Sequence, residues 1–127
     1  MFVPLAKRFP PRKFLKLATR LIADRKYEEP SRIRTAVGRA YYAAFLYTKE
    51  RLQRLGYHFP DDYRVHRAVI DKLMDRGDTT IGSQLDTLFE KRRTADYYMD
   101  TPLHMHDGNY SLALSQRVID SADLLRR

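Results

Sequence analysis

The chain has 127 residues, the length of one domain, and its 24 lysines and arginines against 16 acidic residues give a formal net charge of +8. It contains no cysteine, which excludes disulfides, thiolate metal sites and cysteine nucleophiles. No apolar run reaches transmembrane length, and prolines interrupt the brief apolar patch at the start, so we expect neither a membrane span nor a signal peptide. These observations predict one soluble, cytoplasmic domain over residues 1–127. Its positive charge suits either a polyanionic partner or a solvated basic surface.

Glycine is scarce and the apolar residues recur at helical spacing, so the sequence predicts an all-α fold. The first helix is predicted over residues 11–25, after a Pro-Pro start that suits a first helical turn. Its apolar face comprises Phe14, Leu17, Ala18, Leu21 and Ile22. The second and longest helix is predicted over residues 32–55, with Ser31 as its N-cap. Its apolar stripe, which is rich in alanine, comprises Ile33, Ala36, Val37, Ala40, Tyr41, Ala44, Phe45, Thr48, Leu52 and Leu55.

The third helix is predicted over residues 63–76, with Asp61 or Asp62 as its cap and Gly77 at its end. Its inward positions are Val65, Val69, Ile70, Leu73 and Met74. A short connection then leads to the next helix.

The fourth helix is predicted to begin at Thr79 or Thr80, and the fifth to cover residues 110–126 after a loop. The fifth helix presents Ala113, Leu114, Val118, Ala122 and Leu125 on its apolar face. Because short loops join antiparallel neighbours, the chain is expected to form an up-and-down antiparallel bundle of four to five helices.

The segment at residues 91–100, KRRTADYYMD, places an arginine on the apolar stripe of the fourth helix. This stripe passes through Ile81, Leu85, Leu88, Arg92, Ala95 and Met99. Asp96 follows Arg92 at the i,i+4 spacing, which allows the two side chains to meet. One interpretation is a half-buried ion pair that tethers helix four to helix two. The other is an arginine at the base of a cleft, where it meets a phosphate while Asp96 orients it.

Two adjacent tyrosines on helix two point in different directions. Tyr41 lies on the apolar stripe and is expected to pack in the core, whereas Tyr42 points away from it. Tyr42 and Arg39 are therefore predicted to flank a cleft or a dimer contact.

The histidines give weaker indications. His104 and His106 resemble a metal-ligand pair, but the sequence offers no third and fourth ligand nearby, so we expect solvated loop residues and no metal. His66 is expected to cap or pack at the start of helix three. The sequence contains no glycine-rich phosphate loop or hydrolase motif, so no cofactor is expected.

Three segments taken together resemble the HEPN superfamily of small helical proteins. They are AVGRAYYAAFLYTKERL, VHRAVIDKL and FEKRRTADYYMD, at residues 36–52, 65–73 and 89–100. Their A-Y-Y-A block, histidine and R-x-x-A-D-Y pattern occur in the family's order and spacing, and the likeness covers residues 14–125. It implies a bundle that forms a homodimer and associates with RNA. Many members are metal-independent ribonucleases or toxins, often paired with a minimal nucleotidyltransferase antitoxin.

The chain departs from that family at the active motif. There an arginine is followed four to six residues later by a histidine on the helix that corresponds to helix four. Here Tyr97 or Tyr98 holds that position, and the next histidine is His104. A tyrosine with a pKa near 10 is a poor base at neutral pH. The remaining option is that His104 or His106 folds back beside Arg92.

Three functions follow as hypotheses. The first is a HEPN-like module of a toxin–antitoxin or defence system that binds RNA, a nucleotide or a nucleotidyltransferase partner. Its candidate binding residues are Arg39, Tyr42, Arg92 and Arg93, and Tyr97 or Tyr98 is a candidate for adenylylation by the partner. The second is a metal-independent ribonuclease toxin that uses Arg92 and Asp96 in a dimer cleft. The third is a purely structural dimeric scaffold.

Overall fold

The computed structural model describes residues 8–127, and in this range every regular element is an α-helix. The five helices are α1 (Arg12–Ala23), α2 (Glu29–Arg54), α3 (Val65–Asp75), α4 (Thr79–Tyr97) and α5 (Met105–Ala122). The predicted all-α helical bundle is thus confirmed. None of the described helices is long and apolar enough to cross a membrane. The apolar patch on which the signal-peptide expectation depends lies before residue 8, outside the described residues.

The longest helix, α2, is the centre of the bundle and contacts the other four, most extensively α5, α1 and α4. Four of its alanines are completely buried, and their small side chains allow the neighbouring backbones to approach. Ser115 of α5 donates a buried hydrogen bond of 2.7 Å to the Ala40 carbonyl oxygen. α3 packs mainly on α4, and its contact with α2 is smaller.

The predicted stripe of α2 forms most of the core. Tyr41, Phe45 and Leu52 are buried, as are Thr48 and the stripe residues that precede them. The largest core cluster adds apolar residues from α3, α4 and α5, namely Val69, Ile70, Leu73, Ile81, Leu85, Leu88, Leu114, Val118, Ala122 and Leu125. The apolar periodicity therefore identified the correct face of the central helix.

The predicted start of α2 is wrong by one turn. The helix begins at Glu29, and Pro30 occupies its first turn, where the N–H that proline lacks would have no helical partner. Ser31 lies inside the helix, and its hydroxyl donates a 2.5 Å hydrogen bond to Glu28. Ser31 is therefore not the N-cap.

The predicted start of α5 at residue 110 is also wrong. The helix begins at Met105 with His104 as its N-cap residue, and the His104 backbone N–H donates to the Asp107 carboxylate at 2.8 Å. Gly108 is buried, and a Cβ there would collide with the tip of Ile22 in α1. The residues that resemble a loop thus form a capped first turn that packs closely, and α5 ends at Ala122 rather than at residue 126.

Smaller errors concern the edges of other helices. In α1, Ala18 and Ile22 are buried as predicted, but Leu15 is buried as well and Leu17 is exposed. α3 begins at Val65 rather than at residue 63, and neither predicted aspartate is its N-cap residue. Met74, Met99 and Ala113 are exposed; Met74 is in the last turn of α3, Met99 lies beyond the end of α4, and Ala113 is in the middle of α5. The end of α3 is as predicted, since Gly77 follows it with a φ of 88° that suits glycine.

Candidate functional site

Arg92 of α4 points toward α2 because it shares a helix face with the buried residues Leu85 and Leu88. Only 15% of its side chain is exposed, and its Nε lies 2.9 Å from Oδ2 of Asp96, whose side chain is 37% exposed. Its Nη2 donates a 3.1 Å hydrogen bond to the Tyr42 hydroxyl on α2. The predicted pairing of Arg92 with Asp96 is therefore present. Tyr42 of α2 contacts Arg92 of α4 at the same place.

The ion pair does not satisfy the guanidinium completely. Although Nε is close to the carboxylate, its N–H is not aligned for a hydrogen bond, and Nε is sealed from solvent without another partner. A guanidinium has five N–H donors, and only one forms a well-oriented hydrogen bond within residues 8–127. Nη1 is not among the sealed atoms and makes no hydrogen bond within residues 8–127, so Arg92 keeps N–H groups with which it can bind an anion.

Arginines and aromatic rings alternate across three helices in a continuous row. The row consists of Phe14 of α1, Arg39 and Tyr42 of α2, and Arg92 and Tyr97 of α4. The Arg39 guanidinium carbon lies 5.0 Å from the Phe14 ring centroid and 4.9 Å from that of Tyr42. The Arg92 guanidinium carbon lies 5.2 Å from the Tyr42 centroid and 5.4 Å from that of Tyr97. We call these five side chains the arginine–aromatic row.

The row holds two guanidinium groups in fixed positions. Each cation lies against two rings, and such a contact contributes about 0.5–1 kcal/mol at partly exposed sites. The N–H groups of each guanidinium are the atoms with which it can bind an anion. Edge-on N–H pairs match the geometry of phosphate oxygens.

Arg93 and Tyr98 lie outside the row. Arg93 pairs with Glu90 at 3.2 Å, and its Nη2 donates to the Tyr98 hydroxyl at 3.3 Å. Its guanidinium carbon is 5.9 Å from the Phe89 ring. Of the four predicted binding residues, Arg39, Tyr42 and Arg92 come together, whereas Arg93 lies beside a different ring.

His66 of α3 belongs to the site, although the sequence indicated only packing or capping. Its ring stacks on Phe45 at 4.6 Å and on Phe89 at 5.4 Å, and its Nδ1 lies 2.6 Å from the Tyr41 hydroxyl. The ring centroid of Tyr42 is 6.1 Å away. His66 and Arg92 therefore approach the same tyrosine from different helices.

Burial and charge keep the His66 ring neutral. Burial is the largest cause that lowers the pKa of the imidazole, and the positive charges of Arg92 and Lys49 lower it further. Burial also raises the pKa of the Tyr41 phenol far above its ordinary value, so this hydroxyl stays protonated. The pair is consequently a neutral imidazole held by a neutral phenol. Little in the sequence indicated that His66 pairs with Tyr41, because this requires knowing which tyrosine of the A-Y-Y-A block faces α3.

Arg34 fixes the end of α4 on which Asp96 and Tyr97 lie. Its Nη1 donates to the carbonyl oxygens of Thr94 and Ala95 at 3.0 Å each, and its Nη2 donates to that of Thr101 at 2.6 Å. A cation at the C-terminus of a helix satisfies free carbonyl groups and complements the helix dipole. This positioning role of Arg34 was not apparent from the sequence.

His104 and His106 lie at the start of α5 and do not contact Arg92 within residues 8–127. Their rings are 5.6 Å apart, and His106 lies 3.7 Å from Asp107. The backbone N–H of His104 is the main cause that lowers the pKa of the Asp107 carboxyl group. No group of three potential metal-ligand side chains occurs in the part of the chain that the structure describes. The option that one of these histidines folds back beside Arg92 is therefore wrong.

The fold and the site define a small, basic, all-helical protein with a fixed row of guanidinium groups next to a neutral histidine. Comparison with protein-family models, curated proteins and solved structures gave no match. The likeness to the HEPN superfamily thus remains a resemblance in the motifs of the sequence.

Proposed function

We propose that the protein is a HEPN-like module that binds single-stranded RNA through the arginine–aromatic row. The observation that carries this proposal is the alternation of Arg39 and Arg92 with three aromatic rings on one side of the bundle. The net charge of +8 favours a polyanion in the same way.

The geometry suits a phosphate backbone better than an isolated charge. Arg39 and Arg92 both lie against the Tyr42 ring, so the two cations are close to each other. Asp96 neutralises part of one charge and leaves the other unopposed within the row. An extended strand with regularly spaced phosphates is therefore favoured over a mononucleotide, which would use one of the two arginines.

Salt dependence of RNA affinity tests the proposal. Each phosphate contact on a single strand contributes a slope of about −0.7 to log affinity against log salt. Binding is measured by fluorescence anisotropy with a labelled RNA. Compared with the wild type, Arg39→Ala should bind more weakly and show a smaller salt slope. Arg92→Lys, which keeps the charge, should bind more weakly. Arg117→Ala on α5 removes an exposed charge outside the row and is the matched control. An effect of Arg117→Ala equal to that of Arg39→Ala would reject the row as the binding surface.

The remaining expectations form part of the same proposal. The resemblance also implies a homodimer, a minimal nucleotidyltransferase partner and a role in a cytoplasmic toxin–antitoxin or defence system. Tyr97 and Tyr98 are 64% and 48% exposed, which is the accessibility that adenylylation needs. Light scattering measures the homodimer, co-purification identifies a partner, and the intact mass after incubation with partner and ATP reveals the modification. An unchanged mass would reject the modification.

The ribonuclease alternative needs a proton-transfer group beside Arg92. α4 provides only Tyr97 and Tyr98 at the position where the family has histidine, and Asp96 is engaged by Arg92. A histidine from another helix would meet this requirement.

A further inference from the structure

We propose that a cavity at the C-terminal end of α2 binds the terminal phosphate group of an RNA strand that lies along the arginine–aromatic row. The inference rests on the proposed RNA binding and adds a preference for strands that end in a phosphate. None of the five side chains of the row lines this cavity, so the two sites can be altered separately.

The cavity has a volume of about 460 Å³, which is within the usual range of small-ligand sites. It lies between the start of α1, the last two turns of α2 and the residue that follows α5. Its lining includes four guanidinium groups and two carboxylates, from Arg8, Arg12, Arg51, Arg54, Glu50 and Asp123. This excess of positive charge favours an anion that carries more than one negative charge.

The cations and the walls of the cavity are held by contacts that join α1 and α2 to the end of α5. Arg12 of α1 donates to the Tyr47 hydroxyl at 3.1 Å and to the Asp123 carboxylate at 2.8 Å. The Tyr47 hydroxyl donates to the same carboxylate, and its ring centroid lies 4.8 Å from the Arg12 guanidinium carbon. Arg54 pairs with Glu50 at 2.7 Å within α2. A ligand therefore meets side chains that are already ordered, which lowers the entropy lost on binding.

Arg51 has no carboxylate partner within residues 8–127. Its Nη2 donates to the carbonyl oxygens of Asp123 and Leu125 at 3.3 and 3.2 Å, and its Nε is sealed from solvent without a partner. Nη1 is not among the sealed atoms and makes no hydrogen bond within the same residues. Arg51 thus brings to the cavity a positive charge and N–H groups with which it can bind an anion.

The arginine–aromatic row is connected to the cavity through two phenylalanine rings. Phe14 is the end of the row on α1, and its ring centroid lies 4.8 Å from that of Phe9. Phe9 lines the cavity and is 56% exposed. A strand bound along Arg39 and Phe14 therefore reaches the cavity at Phe9, where the exposed ring can stack on the last base.

A terminal phosphate fits this cavity better than an internal one. A phosphomonoester carries about 1.5–2 negative charges at neutral pH, because its second pKa is near 6, whereas an internal phosphodiester carries a single charge. A concave site also accepts the end of a strand more readily than a strand that must enter and leave it. The cavity is therefore suited to the phosphorylated end of the RNA.

The test compares RNA strands of one sequence that differ only at their ends. Isothermal titration calorimetry, which needs no label, measures the dissociation constant of a single strand with two hydroxyl ends, with a 5′-phosphate and with a 3′-phosphate. We expect one phosphorylated strand to bind about tenfold more tightly than the hydroxyl strand, as one additional charge-assisted contact provides. The strand that gains affinity identifies the end that enters the cavity.

Two substitutions in the cavity should remove this preference. Arg51→Gln should bring the phosphorylated strand to within about twofold of the hydroxyl strand, because it removes the charge that has no carboxylate partner. Because Arg51 also binds two carbonyl groups at the end of the chain, Arg54→Gln is a second variant, whose ion pair lies within α2. It should lower the preference by about threefold, since it leaves the Glu50 carboxylate unpaired in the cavity.

Glu50→Gln should have the opposite effect. It removes a carboxylate from the cavity and releases Arg54, so the phosphorylated strand should bind about threefold more tightly while the hydroxyl strand is unchanged. Partial unfolding cannot produce such a gain. Arg39→Ala, in the row, should weaken both strands by the same factor, and the matched control Arg117→Ala should leave both unchanged.

The outcomes separate this inference from the proposed function. Equal affinity for phosphorylated and hydroxyl strands overturns the role of the cavity and leaves RNA binding standing. A preference that persists in Arg51→Gln and Arg54→Gln overturns it as well, because the phosphate is then bound elsewhere. If no strand binds, the proposed function fails and this inference fails with it. A preference that is lost in both variants and increased in Glu50→Gln, with unchanged circular dichroism, supports it.

Discussion

Removing Asp96 from the Arg92–Asp96 pair should lower the free energy of unfolding more than removing Arg92. Arg92 is only 15% exposed and Asp96 is 37% exposed, so the two partners differ in how well water can replace the lost contact. Asp96→Ala leaves a mostly buried guanidinium without its carboxylate, whereas Arg92→Met leaves a carboxylate that solvent reaches. The free energy of unfolding is therefore expected to fall further for Asp96→Ala.

The magnitudes follow from the degree of burial. Removing one partner of a fully buried pair costs about 3–5 kcal/mol, and an exposed pair contributes about 0.2–1 kcal/mol. We expect a loss of about 2–3 kcal/mol for Asp96→Ala. For Arg92→Met we expect about 1 kcal/mol, because the methionine fills the apolar stripe but the hydrogen bond to Tyr42 is lost. The double variant should lose about 1 kcal/mol, which gives a coupling energy of about 2–3 kcal/mol.

Urea denaturation followed by circular dichroism measures all four free energies of unfolding, with equal m-values as the condition for comparison. Glu90→Ala, which breaks the more exposed pair with Arg93, is the matched control and should cost less than about 0.5 kcal/mol. If Asp96→Ala proves milder than Arg92→Met, or if the double variant equals the sum of the single ones, the assignment of Arg92 as the buried and dependent partner is refuted.

Three further predictions concern other contacts. Because of His66, the free energy of unfolding should fall as the pH decreases from the unfolded pKa of the imidazole, near 6.5, toward its lower folded pKa. The reason is that the unfolded chain takes up the proton first. Denaturant titrations from pH 7 to pH 5 should show a smaller fall in His66→Phe. Arg34→Ala should lower the stability by about 1–2 kcal/mol and increase amide exchange after Thr94, because it frees carbonyl groups at the end of α4; undisturbed exchange there would contradict the capping role. Gly108→Ala should cost about 1–3 kcal/mol through its clash with Ile22, and Ile22→Val in the same chain should recover part of the loss in thermal melting.

Periodicity predicted most of the bundle, since a stripe of ten residues on α2 defines a face without knowledge of its neighbours. It also predicted that Arg92 and Asp96 meet, because their contact lies within one helix. The ends of helices were less predictable. Pro30 and Gly108 are ordinarily helix breakers, yet one is tolerated in a first turn and the other is needed where α5 packs against α1.

The histidine of the site could not be predicted for a different reason. Its contacts join three helices, with Tyr41 and Phe45 on α2 and Phe89 on α4. A single sequence reports spacing within an element but not which residues of separate helices face each other. The spacing along α4 therefore points to Tyr97 and Tyr98, whereas the histidine close enough for Arg92 to lower its pKa is His66 of α3.

The energetics of Arg92 argue against a purely structural role. A buried ion pair is often no more stabilising than apolar residues of similar size, because removing two charges from water offsets their attraction. The apolar stripe of α4 would be continuous with leucine or methionine at this position, and Asp96 would then be unnecessary. Instead the arginine keeps an Nε that is buried without a well-aligned partner, and its guanidinium carbon lies within 5.4 Å of the centroids of two aromatic rings. Compared with methionine the arginine is expected to stabilise the fold by only about 1 kcal/mol, whereas it holds a cation against two aromatic rings in one place. The proposed RNA ligand at the row would account for both features.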